Sequence, residues 1–296
     1  MISESAILNC FQHLVDIDKD DLVIVGSGDD AAIIKSQEKD LVHSIDISKV
    51  NSHFPEDSKP QDIAYRSIAV ALSDIAAMGA CPAFISIGLT SNITDLKWYK
   101  QFTKGVEKIL NEYQLKLVGG DITNGEISVC VNVFGYAYEN NILRSNAKVG
   151  DLIYITGPLG EGRKGLEDWK NNRQTKYIKK FFNPKVDFDK SEYISKYANS
   201  CIDISDGLIK DLTRICKSSE VGAEIIYENI PITNDIDDLF YGDDYKLCYT
   251  CSPVFKDNEY ISDDFCIGEI KSDKEVIIKK DNSPINFEKH GWDSFE

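Results

Sequence analysis

The chain is short of positive charge. It holds 33 Lys and Arg against 49 Asp and Glu among its 296 residues, which gives a formal net charge of −16. A surface this acidic repels nucleic-acid backbones and anionic lipid headgroups, unless cations lie between carboxylate and phosphate. The composition therefore predicts no nucleic-acid partner and no membrane partner, but it allows a phosphate ligand that arrives with metal ions.

Long apolar runs and a secretory leader are also missing. No stretch of the sequence approaches the roughly 18 apolar residues of a membrane span. The N-terminus carries acidic residues where a signal peptide has basic ones. We therefore expect a cytoplasmic protein. Its hydrophobic fraction of 42% suits a folded core, in one large domain or, better, in two ordinary ones.

The cysteines do not predict a disulfide framework. All 8 are scattered through a chain that is too long to need covalent staples, which fits reduced thiols. One CxxC spacing, Cys248 to Cys251, lies in the apolar, strand-like run LCYTC. Residues three apart on a strand face opposite sides, and no second pair follows. We interpret both thiols as buried small side chains, in preference to zinc ligands or a redox pair.

The common nucleotide-binding signatures give no help. The glycine-containing turns GSGDD, LVGGD and SDGL do not match GxGxxG, the motif GxxxxGK[ST] is absent, and neither HRD nor DFG occurs. We find no Ser-His-Asp or Cys-His arrangement. A phosphoryl transferase built on this chain would therefore use neither the P-loop nor the protein-kinase architecture.

Hydrophobic periodicity predicts mixed α/β structure throughout. In the first half, helical stripes cover residues 3–15, Pro60 to Gly79 and 94–113, and strand patterns occupy the segments around them. The second half alternates strands and helices, beginning with the strand LIYITG. The polar, turn-rich segment RSNAKVGD separates the halves. We expect an α+β protein with an N-terminal domain, 1–146, whose sheet is backed by helices, and a C-terminal α/β domain, 147–296.

Aspartates beside small or apolar residues are the strongest chemical signal. Asp74 lies in SIAVALSDIAAMGA, an almost wholly apolar helix, where an unpaired carboxylate would be expensive to bury. Further aspartates stand in turns, in a strand or at junctions of the predicted elements. These are Asp29, Asp30, Asp46, Asp121, Asp203 and Asp206.

Each of these aspartates has a structural alternative. Asp206 fits the N-cap of the following helix, Asp29 an ordinary turn and Asp46 an edge-strand charge. Taken together, however, they match the carboxylates with which Mg²⁺ binds phosphate substrates, and the neighbouring glycines allow close approach of a phosphate. The residues therefore predict a nucleotide site charged by its metal ions. His53, downstream of Asp46, fits that site and an ordinary surface loop equally well.

Several longer segments then point to a known family. They are GSGDDAAII, SIDISKVNSHF, DIAYRSIAVALSDIAAMGACPAF, LVGGDITNG, LRSNAKVGDLIYITGPLG, CIDISDGLIKDL, YGDDYKLCYT and HGWDSF, and they run in order from about residue 20 to the C-terminus. In these segments the chain resembles the thiamine-monophosphate kinases, of the superfamily that includes aminoimidazole-ribonucleotide synthetase and selenophosphate synthetase. The resemblance implies two mixed α/β domains, with the N-terminal sheets pairing across a homodimer.

The resemblance also implies an activity and a set of site residues. The activity is transfer of the ATP γ-phosphate to thiamine monophosphate, with several Mg²⁺ ions. Implied metal ligands or their close neighbours are Asp30, Ser44, Ile45, Asp46, Asp74, Asp121, Asp203 and Asp206. Implied nucleotide contacts are Gly120, Asp121, Arg144 and Ser205, and implied thiamine-phosphate contacts are His53, Asp243 and Trp292. The indole of Trp292 suits a cationic thiazolium ring.

No catalytic general base is expected, because the acceptor is already an anionic phosphate oxygen. The chain departs from the family where it reads GDDYK at 242–246 in place of GEDYE, and where Ile45 replaces a usual Thr. Two alternatives remain open at this point. One is a sister ATP-dependent synthetase, although Cys10 lacks the glycine-rich loop of selenophosphate synthetase. The other is a paralogue that binds nucleotide or thiamine phosphate without turnover.

Overall fold

The structure is a computed structural model that describes residues 3–15, 23–25, 31–256, 258–259, 261–285 and 291–292. The chain divides into two compact units. Unit 1 comprises Met1–Ile75 and Cys81–Ala137, and unit 2 comprises Ala76–Ala80 and Tyr138–Glu296. Both units contain sheets and helices, so the expected mixed α/β class is confirmed.

Unit 1 is built on a four-stranded sheet in the order β3-β6-β4-β5, with a separate two-stranded ribbon of β1 and β2. β3 and β6 are antiparallel, whereas β4 and β5 are parallel. The predicted strands flanking the GSGDD turn are confirmed, but the turn itself lies outside the described residues. The strands are β1 (Val23–Val25), β2 (Ile33–Ile34), β3 (Leu41–Lys49), β4 (Ala80–Thr90), β5 (Lys116–Thr123) and β6 (Ser128–Ala137).

The N-terminal helical stripe of unit 1 forms two short helices, where the sequence predicted one over 3–15. The amide of Cys10 bonds to the Ile7 carbonyl and that of Phe11 to the Leu8 carbonyl, so the chain tightens into i→i+3 turns between them. Asn9 and Cys10 have poor helix propensity, which explains the interruption. The helices of this half are α1 (Glu4–Leu8), α2 (Gln12–Val15), α3 (Pro60–Ala77) and α4 (Leu96–Tyr113).

Helix α3 supplies much of the unit 1 core. It starts at Pro60, a favoured first helical residue, and ends before Gly79, which adopts φ 69°. The predicted apolar stripe is confirmed, since Ile68, Leu72 and Ile75 are each fully buried. Burial of one such side chain contributes about 1.5–3 kcal/mol. Asp74 is therefore fixed on a helix whose rotation and position are set by its apolar neighbours.

Unit 2 is built on a seven-stranded sheet in the order β13-β12-β9-β11-β7-β10-β8. Within it β9 and β12 are parallel. Its strands are β7 (Leu152–Ile155), β8 (Ala198–Asp203), β9 (Gly222–Ile226), β10 (Leu247–Cys251), β11 (Phe265–Lys271), β12 (Val276–Lys280) and β13 (Ser283–Ile285). Its helices are α5 (Glu161–Lys170), α6 (Lys176–Phe182), α7 (Phe188–Ile194), α8 (Leu208–Ser219) and α9 (Asp238–Tyr241).

The two units divide at Ala137 and Tyr138, earlier in the chain than the expected boundary near residue 146. The intervening residues bond within unit 2. Tyr138 donates its amide to Gly79, Ile142 donates to Met78, and Leu143 bridges Ser200 beside β8. The turn-rich sequence at 144–151 marks a bend inside unit 2, and composition alone did not reveal these earlier contacts.

The burial of the CxxC thiols agrees with the interpretation from the sequence. Cys248 and Cys251 are both fully buried on β10, and all eight cysteines, each within a described range, are free. Within the described ranges, no helix combines the length and the apolar character that crossing a membrane requires.

Candidate active site

The first cluster of predicted residues lies in unit 1, between β3 and α3. Ser44 and Asp46 are two apart on β3, so their side chains share one face of the strand. The Ser44 hydroxyl donates to Asp74 Oδ2 over 2.5 Å, although the two residues are 30 positions apart in sequence. The structure therefore brings three of the predicted metal-binding residues together.

The electrostatics of this cluster centre on Asp46. Burial raises the pKa of Asp46 above its ordinary value, and the Asp74 carboxylate raises it further. The Ile47 amide, His53 and Arg66 lower that pKa. His53 lies nearby because its Nδ1 accepts from the Lys49 amide at 3.1 Å and its carbonyl accepts from Arg66 Nε at 2.9 Å. The loop that carries His53 is thus fixed to β3 and α3, beside the acid pair.

The donor set of this cluster fits a hard divalent cation. It offers carboxylate and hydroxyl oxygens from Ser44, Asp46 and Asp74, and oxygen ligands are those that Mg²⁺ prefers. A cation would also relieve the repulsion between the two acids. Among the residues that the structure describes, no group of three or more His, Cys, Asp or Glu is placed to hold a metal. Further ligands would be water or phosphate oxygens, the main-chain carbonyl of Ile45, or the carboxylates of Asp121 and Asp30, of which Asp30 lies outside the described residues.

Gly120 and Asp121 lie on β5, at the other end of the four-stranded sheet from β3. A Cβ on Gly120 would stand 2.4 Å from the Ile87 carbonyl, so this strand position requires glycine. Asp121 is exposed, and its Oδ1 accepts from the Ile122 amide at 2.9 Å. A pocket opens over this stretch. It is lined by Leu8, Phe11, Gln12, Ile87, Leu89, Leu117, Gly119, Gly120, Asp121 and Ile122.

A second cluster lies in unit 2, in the loop between β8 and α8. Asp203 is buried at the end of β8, and Ser205 and Asp206 follow it. Asp206 does not cap α8, because Gly207 occupies the N-cap position with φ 115°. Asp206 Oδ2 instead meets Arg214 at 2.6 Å and Lys210 at 3.4 Å. Its carboxylate is held by two cationic side chains of α8.

Two of the three expected thiamine-side residues, Asp243 and Trp292, adjoin this loop. Asp243 donates its amide to the Ser205 carbonyl at 3.0 Å, and Trp292 donates its amide to the Asp206 carbonyl at 3.0 Å. Lys210 also bonds the carbonyl of Trp292. Asp243 adopts φ 62°, and its Oδ1 accepts from the Tyr245 hydroxyl at 2.9 Å. Predicted site residues from three separate sequence segments therefore meet at one loop.

Arg144 is placed differently. Its carbonyl accepts from the Ser219 hydroxyl at 2.7 Å, at the last residue of α8. Ser205 and Asp206 precede the first turn of the same helix, and a helix of this length spans roughly 18 Å. The backbone of Arg144 thus lies at the opposite end of α8 from the Ser205 loop, and its side chain is exposed.

One further glycine pattern has the spacing of a dinucleotide-binding signature. Residues 160–165, GEGRKG, have the GxGxxG spacing and follow strand β7. Each glycine, however, faces protein. A Cβ on Gly160 would stand 2.1 Å from Asp238, one on Gly162 2.2 Å from the Asp243 carbonyl, and one on Gly165 2.1 Å from the Tyr177 carbonyl. The pattern serves packing of α5 and supports no dinucleotide site.

Two buried aspartates at this site were missed from the sequence. Asp211 lies on α8, and Asp244 accepts from the Gly160 amide at 2.8 and 3.0 Å. Burial raises the pKa of Asp211 to about 6, while the amides of Asp206 and Ser205 and the Arg214 guanidinium lower it. Burial also raises the pKa of Asp244 well above its ordinary value. The missed signal for Asp211 was its place between Leu208 and Leu212, on an otherwise apolar helix face.

Comparisons with known proteins follow the same division of the chain. Residues 28–137 match the family model of the AIR synthase related protein, N-terminal domain, which ends at the last residue of unit 1. Over a longer span, the thiamine-monophosphate kinase of Buchnera aphidicola from Schizaphis graminum is 40% identical, with 94% of each chain covered.

Solved structures agree with this relationship. The thiamine-monophosphate kinase of Stenotrophomonas maltophilia superposes with a TM-score of 0.84 at 27% identity, covering 95% of this chain and 98% of that one. The structure of AaThiL complexed with AMPPCP and TMP gives a TM-score of 0.78 at 28% identity, covering 89% and 90%.

The relatives define a kinase, and its residues 28–137 match the AIR synthase related N-terminal domain. Within that class, the chain belongs to the thiamine-monophosphate kinase family. The resemblance drawn from the sequence segments is thereby confirmed.

Proposed function

We propose that this kinase transfers the γ-phosphate of ATP directly, in line, to the phosphate of thiamine monophosphate, giving thiamine diphosphate and ADP. The observation that carries the proposal is the cluster of Ser44, Asp46 and Asp74, an oxygen-rich donor set partly buried between β3 and α3 of unit 1. Further support comes from family membership and from AaThiL, which was crystallised with AMPPCP and TMP.

Within unit 1, we assign Ser44, Asp46 and Asp74 to holding Mg²⁺. The main-chain carbonyl of Ile45 and the side chains of Asp121 and Asp30 would contribute further ligands. When bound, Mg²⁺ would neutralise phosphate charge and reduce the repulsion between the two anionic substrates. The exposed main chain of Gly120 on β5 would meet the nucleotide. His53 would meet the thiamine phosphate from its fixed loop.

Within unit 2, we assign Ser205 to the nucleotide, and Asp203 and Asp206 to metal ions. The exposed side chain of Arg144 would meet the same nucleotide from the opposite end of α8. Asp243 and Trp292 would meet thiamine monophosphate, with the indole against the cationic thiazolium. No residue need remove a proton from the acceptor, because a phosphate monoester is ionised at neutral pH. The side chains therefore act by alignment and by neutralising charge.

The proposal is tested by incubating the protein with ATP, thiamine monophosphate and Mg²⁺ and separating the products by chromatography. We expect thiamine diphosphate and ADP in equal amounts, and no product when EDTA removes the metal. Parallel reactions with an aminoimidazole precursor or with selenide should consume no ATP. Tight binding of both substrates without thiamine diphosphate would instead indicate a paralogue that binds but does not turn over.

We further propose that the protein is a homodimer joined through the open face of β3. Along this strand, alternate side chains point away from the Asp46 face. Leu41, Ile45 and Ile47 on that side are 53%, 56% and 54% exposed, although apolar. β3 is also a terminal strand of its sheet within the described residues, and an exposed apolar edge of this kind favours pairing with another chain.

A charged residue in this row should disrupt the dimer. Replacing Ile47 with Glu is expected to raise the dimer dissociation constant by about 10-fold or more, because the carboxylate would be desolvated at the interface. Sedimentation velocity over a range of protein concentrations measures the change. Val254→Glu is the matched control, since Val254 is 85% exposed in unit 2. A wild-type protein that stays monomeric at every concentration would overturn the proposal.

We propose the cytoplasm as the place of this reaction, since ATP is a substrate. The eight free cysteines support a reducing compartment.

A further inference from the structure

The loop between β8 and α8 is held from below by one buried carboxylate. Asp211 is 0% exposed, and its Oδ2 accepts from the amides of Ser205 and Asp206 at 3.0 Å each. A single carboxylate oxygen thus fixes two consecutive peptide groups of the loop. Hydrogen bonds to a charged acceptor are about twice as strong as neutral ones, so this contact restrains the loop backbone firmly.

Arg214 links that carboxylate to the loop's own acid. Its Nη1 donates to Asp211 Oδ1 at 2.6 Å, and its Nη2 donates to Asp206 Oδ2 at 2.6 Å. The guanidinium is planar, so it fixes the direction between the two carboxylates as well as their separation. Asp211 sets the backbone of the loop, and Arg214 sets the side chain of Asp206.

The opposite side of the same loop contacts Asp243 and Trp292, two of the expected thiamine-side residues. The Ser205 and Asp206 carbonyls accept from the amides of Asp243 and Trp292. A Cβ on Gly242 would stand 2.2 Å from the Ser205 carbonyl, so the Gly242–Asp243 turn is packed directly onto the loop. A shift of the loop would therefore move groups expected to bind each substrate.

We propose that Asp211 and Arg214 are positioning residues that hold the Ser205–Asp206 loop in the geometry needed for nucleotide binding. They act through the loop and touch no reacting atom. The inference rests on the proposed function only in assigning Ser205 and Asp206 to the nucleotide and its metal. Nothing in the sequence motifs assigned a role to either residue.

The test compares Asp211→Asn and Arg214→Met with wild-type protein. In Asp211→Asn an NH₂ group replaces one of the two carboxylate oxygens. In one orientation of the asparagine this donor faces the Arg214 guanidinium, and in the other it faces the Ser205 and Asp206 amides, so one of the two contacts is lost in either case. Mutation of a residue that supports a ligand-binding group without touching the ligand typically lowers affinity or activity 10–100-fold. We expect the Kd for a non-hydrolysable ATP analogue with Mg²⁺, measured by calorimetry, and the KM for ATP each to rise by about 10-fold or more.

Two further variants separate positioning from general stability. Asp168→Asn is the matched control, since Asp168 is also 0% exposed and also paired with cations, Lys164 and Arg173, but has no contact with the loop. It should lower the urea midpoint while leaving analogue affinity unchanged. Arg214→Lys keeps the charge but loses the planar bridge, so it should recover only part of the affinity lost in Arg214→Met. It also provides a folded variant for the test if Asp211→Asn does not fold.

The results distinguish failure of this inference from failure of the proposed function. If wild-type protein makes thiamine diphosphate but the loop variants bind the analogue as tightly as wild type, the positioning role is overturned and the function stands. A fall in activity that merely follows the unfolded fraction, as for Asp168→Asn, also overturns it. If wild-type protein binds the analogue but makes no thiamine diphosphate, the function fails while the affinities still test the loop.

Discussion

Replacing Asp74 with asparagine is expected to lower kcat for thiamine diphosphate formation by about 10²–10³-fold. The substitution keeps the volume of the side chain and an oxygen that can accept from Ser44. It removes one of the two charges with which Asp46 and Asp74 would hold Mg²⁺. It also removes an acid that raises the pKa of Asp46, so the remaining carboxylate is no longer opposed by its neighbour. Steady-state rates at saturating ATP and thiamine monophosphate measure the effect.

The matched control for this prediction is Asp263→Asn, since Asp263 is an exposed carboxylate in unit 2. Its rate should equal that of wild type. Raising the Mg²⁺ concentration should restore part of the activity of Asp74→Asn if weaker metal binding is the cause. Full activity of Asp74→Asn at ordinary Mg²⁺ would refute the assignment of a metal to this cluster.

Replacing Lys246 with glutamate, the residue that the family resemblance implies here, is expected to destabilise the protein by about 3–5 kcal/mol. Burial lowers the pKa of Lys246, and the carboxylates of Glu161 and Asp244 raise it. Its Nζ lies 4.0 Å from Glu161 Oε2, and the two side chains are 20% and 12% exposed. A glutamate at position 246 would place its negative charge beside the carboxylates of Glu161 and Asp244, where little solvent screens the repulsion. The urea midpoint at neutral pH measures the loss.

Two variants show whether charge is responsible for that loss. Lys246→Met keeps the apolar stem that packs against Gly157 but removes the cation, so its loss should be smaller. Lys256→Glu reverses an exposed charge in the same unit and should change stability by less than about 0.5 kcal/mol. If Lys246→Glu unfolds at the wild-type midpoint, the environment of Lys246 is not adapted to a cation.

The sequence predicted the larger elements because their local signals agreed. Helix α3 combined Pro60 at its start, an apolar stripe and Gly79 at its end, and Asp95 capped α4 close to its predicted start. The 3–15 helix was wrong because its interruption depends on a weak local preference. The contacts that place residues 138–146 in unit 2 are bonds to Met78, Gly79 and Ser200, which no pattern within the segment reveals.

The site residues show a similar limit. Ser44 and Asp46 share a face by strand periodicity, but their meeting with Asp74 depends on how α3 packs against β3. Ser205, Asp206, Asp243 and Trp292 cluster through long-range main-chain bonds. Only the family resemblance predicted that they share a site, because their separate segments carry no shared local signal. Asp211 carries the same signal as Asp74, an acid on an apolar helix face, but its hydrogen bonds to the Ser205 and Asp206 amides depend on how the loop before α8 folds, which no helix pattern shows.

A single-turnover experiment tests direct transfer of the γ-phosphate to thiamine monophosphate. The protein, in excess over ATP labelled at the γ-phosphorus, is mixed with Mg²⁺ and saturating thiamine monophosphate, and acid-quenched samples are separated over time. For direct transfer, we expect the label to pass from ATP to thiamine diphosphate in one phase, with no labelled protein and no labelled inorganic phosphate. Label that appears first on the protein, or as inorganic phosphate without thiamine diphosphate, would contradict direct transfer.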